Sequence, residues 1–187
     1  MTIPEYVSIV GTSILSTIIR PYYATQSLFV MSNFTDISFI SMKGHDDYLT
    51  EGQGHSCILS VDVNYSTIHK TSITNFDICI IHTSENVDCE LYIEYVDFVG
   101  SYSIGLNNIS TNGFRSFCQL ENVYVYPSEN ELGSTCIVND GPDALLEING
   151  SGFYGLDTSS IGLVLKNKSS ANVGSTRFRD LLGTAIL

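Results

Sequence analysis

A six-residue pattern recurs along the chain and limits its folding more than any other feature. It reads apolar, two residues, Thr/Val/Ser/Ile, one residue, Phe/Ile/Val. The first copies are Ile14-x-x-Thr17-x-Ile19, Phe34-x-x-Ile37-x-Phe39 and Thr71-x-x-Thr74-x-Phe76, the last with a polar first position. Then follow Ile93-x-x-Val96-x-Phe98, Leu120-x-x-Val123-x-Val125, Ile148-x-x-Ser151-x-Phe153 and Val173-x-x-Thr176-x-Phe178. The final positions are 19, 39, 76, 98, 125, 153 and 178, in steps of 20, 37, 22, 27, 28 and 25. A second element, Ser103-Ile104-Gly105-Leu106, Ser160-Ile161-Gly162-Leu163 and Thr184-Ala185-Ile186-Leu187, follows several copies. Each period therefore holds two or three short strands separated by turns.

A period near 25 residues, built of strands without helix, points to a β-solenoid. Leucine-rich repeats have a similar length but need a regular Leu ladder and an Asn. Propeller blades are longer, at roughly 40–50 residues. In a solenoid each coil lies about 4.8 Å from the last, so equivalent side chains stack in columns. The pattern predicts an interior column of residues 19, 39, 76, 98, 125, 153 and 178. The 37-residue step is expected to carry the longest insertion, near Gly44–His55, because insertions loop out at turns.

Composition agrees. Ile, Val and Thr number 20, 13 and 15, and Tyr and Phe 11 and 9. Stiff β-branched and aromatic residues favour strands. No stretch keeps apolar residues at i, i+3, i+4 and i+7. Hydrophobic residues make up 43% and charged residues 15%, which is too apolar for a disordered chain, and 187 residues suit one domain over 1–187. The formal charge of −12 argues against a nucleic-acid partner, since phosphate affinity is built from Lys and Arg. No apolar run approaches the 18–20 residues or so of a membrane span. The start, Met1–Tyr6, lacks the basic and apolar regions of a signal peptide.

The segment Ile3-Pro4-Glu5-Tyr6-Val7-Ser8-Ile9-Val10-Gly11, followed by Ser16-Thr17-Ile18-Ile19, resembles an early coil of the pectin-lyase-like superfamily. Asn33-Phe34-Thr35-Asp36-Ile37-Ser38-Phe39 has the ladder form of the same proteins. The resemblance spans essentially the whole chain. It implies an all-β, right-handed, single-stranded parallel β-helix of about seven coils. Members usually carry an N-terminal helix over the first coil, and none is visible here. The expectation is a segment of a longer protein, or ends covered by neighbouring domains or by partner chains in a homo-oligomer such as a trimer.

The superfamily hosts lyases, hydrolases, esterases, adhesins and viral fibre domains, so activity must be argued from residues. Hydrolases of this fold need paired carboxylates. Asp46-Asp47 and Gly54-His55-Ser56 match the family motifs only in part. Val96-Asp97-Phe98-Val99-Gly100 is similar to the nucleophile strand of pectin esterases, yet Asp97 simply precedes a column residue, as Ser38 precedes Phe39. Asp97, Asp46 and Asp47 are therefore candidate catalytic residues with no supporting set around them. His45, His55, His69 and His82 show no metal-ligand spacing; a loop gathering His45, Asp46, Asp47 and His55 is the one arrangement that could bring such groups together. Neither a metal nor a cofactor is expected. Arg177 and Arg179 flank inward Phe178 and should share an outward face near Asp180, as a salt-bridged surface.

Five cysteines (57, 79, 89, 118 and 136) without C-x-x-C spacing are expected as buried thiols packing as small hydrophobes. Asn-x-Ser/Thr sequons occur at Asn33, Asn64, Asn108, Asn149 and Asn167, cheap hits in a chain this rich in those residues. Tyr92, Tyr95, Tyr124, Tyr126 and Tyr154 lie in or beside the repeat. Tyr95, Tyr124 and Tyr126 alternate with the inward column, so they should point outward as a platform for a glycan. The sequence thus reads as a non-enzymatic structural or attachment domain of a virion or cell-surface protein, or alternatively as a polysaccharide-active enzyme.

Overall fold

The computed structural model describes residues 1–21, 27–44, 56–100, 103–127, 134–155, 160–179 and 181. Among them there are 18 strands and no helix. All the strand pairings are parallel. They build three faces of a β-solenoid.

The first face stacks β1 (Ser8–Val10), β4 (Asp36–Ser38), β7 (Ser66–Thr74), β9 (Cys89–Gly100), β11 (Ser116–Glu121), β14 (Ala144–Asn149) and β17 (Ser170–Gly174). The second stacks β2 (Ile18–Ile19), β5 (Ser41–Lys43), the later halves of β7 and β9, then β12 (Tyr124–Pro127), β15 (Gly152–Tyr154) and β18 (Arg177–Arg179). The third stacks β3 (Phe29–Val30), β6 (Ser56–Val61), β8 (Ile78–Ser84), β10 (Ile104–Ser110), β13 (Thr135–Asp140) and β16 (Ile161–Lys166).

The repeat pattern is the corner between the first two faces. In β9, Ile93, Val96 and Phe98 are fully buried, while Glu94 and Tyr95 both face out. Simple alternation admits one outward residue between inward ones. The extra residue, Tyr95, has φ 55° and bends the strand around the corner. The same position on successive coils holds Phe39, Lys70, Tyr95, Asn122, Gly150 and Ser175, all with φ between 49° and 61°. This left-handed region costs a non-glycine residue roughly 1–2 kcal/mol, and stacking on neighbouring coils fixes it in register.

The pairing corrects the expected column. Ile19 pairs with Met42, Met42 with Ile73, Ile73 with Phe98, Phe98 with Val125, Val125 with Phe153 and Phe153 with Phe178. Ile19, Phe98, Val125, Phe153 and Phe178 are as expected; Phe39 and Phe76 are replaced by Met42 and Ile73. Phe39 is the half-buried corner residue of its coil, and Phe76 is buried just beyond β7. The steps become 23, 31, 25, 27, 28 and 25, closer to a constant period. A second column on the first face runs Ile9, Ile37, Ile68, Ile93, Leu120, Ile148 and Val173. Leu106 and Leu163 of the second sequence element stack through Ile137 on the third face. The 184–187 copy and the expected insertion, from position 45 on, lie outside the described residues.

Candidate functional site

The outward side of the second face carries two columns. In one, Ser72 pairs with Asp97, Asp97 with Tyr124, Tyr124 with Gly152 and Gly152 with Arg177. In the other, Thr74 pairs with Val99, Val99 with Tyr126, and Tyr154 with Arg179. Cross-strand neighbours on one face interact through their side chains. Here the result is a tyrosine cluster. The Tyr126 and Tyr154 rings stack at 4.8 Å between centroids and 11° between planes. Tyr124 lies 6.3 Å from Tyr126 at 14°.

Gly152 makes room for the cluster. A Cβ there would come within 2.9 Å of the Tyr154 ring and 3.0 Å of the Tyr124 ring. The rings thus lean over bare backbone. Tyr124, Gly150, Ser151, Tyr154, Ser175 and Arg177 line a shallow recess of about 180 Å³ beside them.

The electrostatics follow from this crowding. Burial, followed by the proximity of Tyr154, Asp97 and Tyr124, pushes the Tyr126 phenol above its ordinary value. Burial likewise pushes the Asp97 carboxyl up. The two groups therefore share one partly desolvated patch, with the Tyr126 ring stacked on Tyr154.

Tyr124 and Tyr126, expected as outward residues, stand together, joined by Tyr154. Tyr95 is exposed but sits on the corner, in the column of Lys70 and Asn122. The contributions of Gly152 and Arg177 were missed in the sequence. A signal for Tyr154 was present: it follows Phe153 as Tyr126 follows Val125. Asp97 has Ser72 and Tyr124 as cross-strand neighbours, so no second carboxylate adjoins it in its column. Asp46, Asp47, His45 and His55 lie outside the described residues, as does Asp180. His69 pairs with Asp36 at 3.1 Å, and His82 is buried. Among the described residues no three His, Cys, Asp or Glu side chains gather to hold a metal. Among them, too, no helix is long and apolar enough to cross a membrane. All five cysteines are buried free thiols.

A separate aromatic ridge lies at the turn that enters the first face. Tyr6 and Phe34 stack at 4.9 Å, and Phe34 and Tyr65 at 5.9 Å. All three are exposed, at 74%, 44% and 55%, and all three are left-handed. On the outward side of the first face Glu94 stands directly opposite Glu121. In comparisons with known proteins, no family model, no curated protein and no solved structure matches the chain.

Proposed function

We propose that the chain is a non-enzymatic β-helix domain of a virion or cell-surface protein, serving as a rod that attaches to glycans through its tyrosine face. The carrying observation is the Tyr124–Tyr126–Tyr154 cluster over Gly152, with an open recess at its edge. Phenol rings offer apolar surface for sugar C–H groups, and their hydroxyls hydrogen-bond sugar hydroxyls. The strand spacing repeats such contacts about every 4.8 Å along the rod, which suits an extended ligand. In this reading the Tyr6–Phe34–Tyr65 ridge packs laterally against further copies, as in a trimer. The buried thiols suit assembly in a reducing setting. The likeness to the pectin-lyase-like superfamily supports this architecture, and a right-handed coil is part of that proposal.

The second reading, a polysaccharide-active enzyme of that superfamily, is favoured by one observation. Asp97 has a carboxyl raised by burial beside the tyrosine cluster, as a general acid requires. A panel of neutral and acidic polysaccharides separates the two. Binding without new reducing ends or unsaturated products, weakened about tenfold by Tyr126→Ala, supports attachment. Turnover abolished by Asp97→Ala makes the protein an enzyme.

A further inference from the structure

We propose that the recess beside Tyr124 and Tyr154 takes an anionic substituent of a sugar, a carboxylate or a sulfate ester, on the Arg177 guanidinium. This rests on the glycan-binding reading above and adds the chemical class of the ligand.

Four observations carry it. First, Arg177 is the charged member of the recess lining; Tyr124, Gly150, Ser151, Tyr154 and Ser175 supply ring edges, hydroxyls and bare backbone. Second, Arg177 stands opposite Gly152 on the neighbouring strand. The cross-strand position that could have held a carboxylate has no side chain. The guanidinium is exposed, and its own column reaches a carboxylate only at Asp97, three strands away. Third, the charge of the chain is unevenly spread. Residues 166–180 hold Lys166, Lys168, Arg177 and Arg179, four of the eight Lys and Arg, against Asp180 alone. Residues 62–97 hold seven Asp and Glu against Lys70 alone. An anion is thus repelled by the middle coils and drawn to the last one. Fourth, a guanidinium presents a planar fork that matches carboxylate and sulfate oxygens two at a time. An adjacent phenol wall leaves room for a sugar ring beside that fork.

The test is calorimetric titration of the whole chain with three sets of oligosaccharides: neutral, carboxylated and sulfated. The expected result is that one anionic set binds about tenfold or more tightly than the neutral set, with a preference that shrinks as salt rises. The two anionic arms identify which group is used. Arg177→Gln should abolish the preference; because the side chain is exposed, the variant should melt like the wild type. Gly152→Ala, whose Cβ pushes on both rings, should weaken every set. Equal affinity for neutral and anionic sugars, or a preference that survives Arg177→Gln, overturns the anion assignment; the glycan reading still stands if Tyr126→Ala weakens binding. Absence of binding by all three sets overturns both.

Discussion

Two interior columns run through the strands of the third face, two residues apart, and they are held by different physics. One is apolar: Phe29, Ile58, Ile80, Leu106, Ile137 and Leu163, all fully buried. The other is Ser60, His82, Asn108 and Asn139, equally buried, closing on half-buried Leu165. The apolar column needs only matching volume. The polar column must satisfy every donor and acceptor away from water. It does so by reaching the backbone where the chain enters the first face. Asn108 donates through Nδ2 to Asn139 Oδ1 at 2.7 Å and to the carbonyls of Ser116 and Leu145 at 3.3 Å. Its Oδ1 accepts from the Ser116 hydroxyl at 2.7 Å. Asn139 Nδ2 donates to the carbonyls of Ala144 and Ser170 at 3.1 and 2.9 Å. His82 continues the chain, with Nδ1 3.0 Å from Ser60 Oγ and Nε2 3.3 Å from Cys89 Sγ. The apolar column stabilises through the apolar area it buries. The polar one fixes how each coil meets the next, because a slip by one residue would strand buried amides.

The largest effect should come from the apolar interior. Phe98→Ala, emptying a fully buried site, should cost roughly 3–5 kcal/mol in chemical denaturation. Leu106→Met, which conserves volume, should cost less than about 1.5 kcal/mol. Wild-type stability in Phe98→Ala would show that this residue is not interior.

Next is acid. Burial pushes the His82 imidazole down to about 4, outweighing the Phe117 backbone, which favours the protonated ring. A neutral histidine in the fold and an ordinary one near 6.5 in the unfolded chain means that the unfolded chain binds the extra proton between those values. Stability is therefore full above pH 6.5 and falls as pH drops towards 4, by about 3 kcal/mol. His82→Asn puts the residue of the next two coils in its place. The difference between wild type and this variant, measured from pH 7 to 4, isolates the histidine from carboxylates such as Asp62. A slope unchanged in the variant would remove His82 from the account.

The polar column should then prove intolerant where the apolar one is not. Asn108→Leu keeps the size of the side chain but leaves Asn139 Oδ1 and two carbonyls without their donor. The expected cost is about 2–3 kcal/mol, against the small cost of Leu106→Met two residues earlier. Equal costs would mean that the hydrogen bonds contribute nothing beyond volume.

The same contrast explains what the sequence made legible. From Ile93 onward the pattern marks the corner correctly, because inward side chains there are large and apolar while the left-handed residues Asn122 and Gly150 look like turn formers. Earlier coils place Phe39 and Lys70 at that corner. An aromatic ring at a position that usually favours Asn or Gly attracts the pattern to the wrong register, three residues early at Phe39 for Met42. In the next coil Thr71 occupies a buried apolar position, so the pattern slides three residues late, to Phe76 for Ile73. The polar column was invisible because Ser, His and Asn read as surface or turn residues when taken singly. Tyr124 and Tyr126 could be placed by alternation, but Tyr95 could not, since alternation breaks at the corner it occupies. Arg177 and Gly152 enter the site only through cross-strand pairing, which no local pattern encodes.

Thr71 offers the smallest and most pointed test. It pairs with Val96 in a column whose other members on neighbouring coils are Ile40 and Val123, all buried. Its Oγ1 is buried and has no hydrogen-bond partner. An unsatisfied buried hydroxyl costs about 1–3 kcal/mol, of which the valine methyl recovers part by simple substitution. Thr71→Val should therefore stabilise the protein by about 1 kcal/mol, read as a higher denaturant midpoint at unchanged slope. Removing a hydroxyl that serves the polar column works in the opposite direction: Ser116→Ala, on the first face, removes the donor to Asn108 Oδ1 and should destabilise. Opposite signs for the loss of one buried hydroxyl on adjacent faces would show that the accounting of partners, and not polarity itself, decides what the interior of this solenoid accepts. Destabilisation by Thr71→Val would mean that its hydroxyl has a partner in solution, and the column would have to be read as mixed.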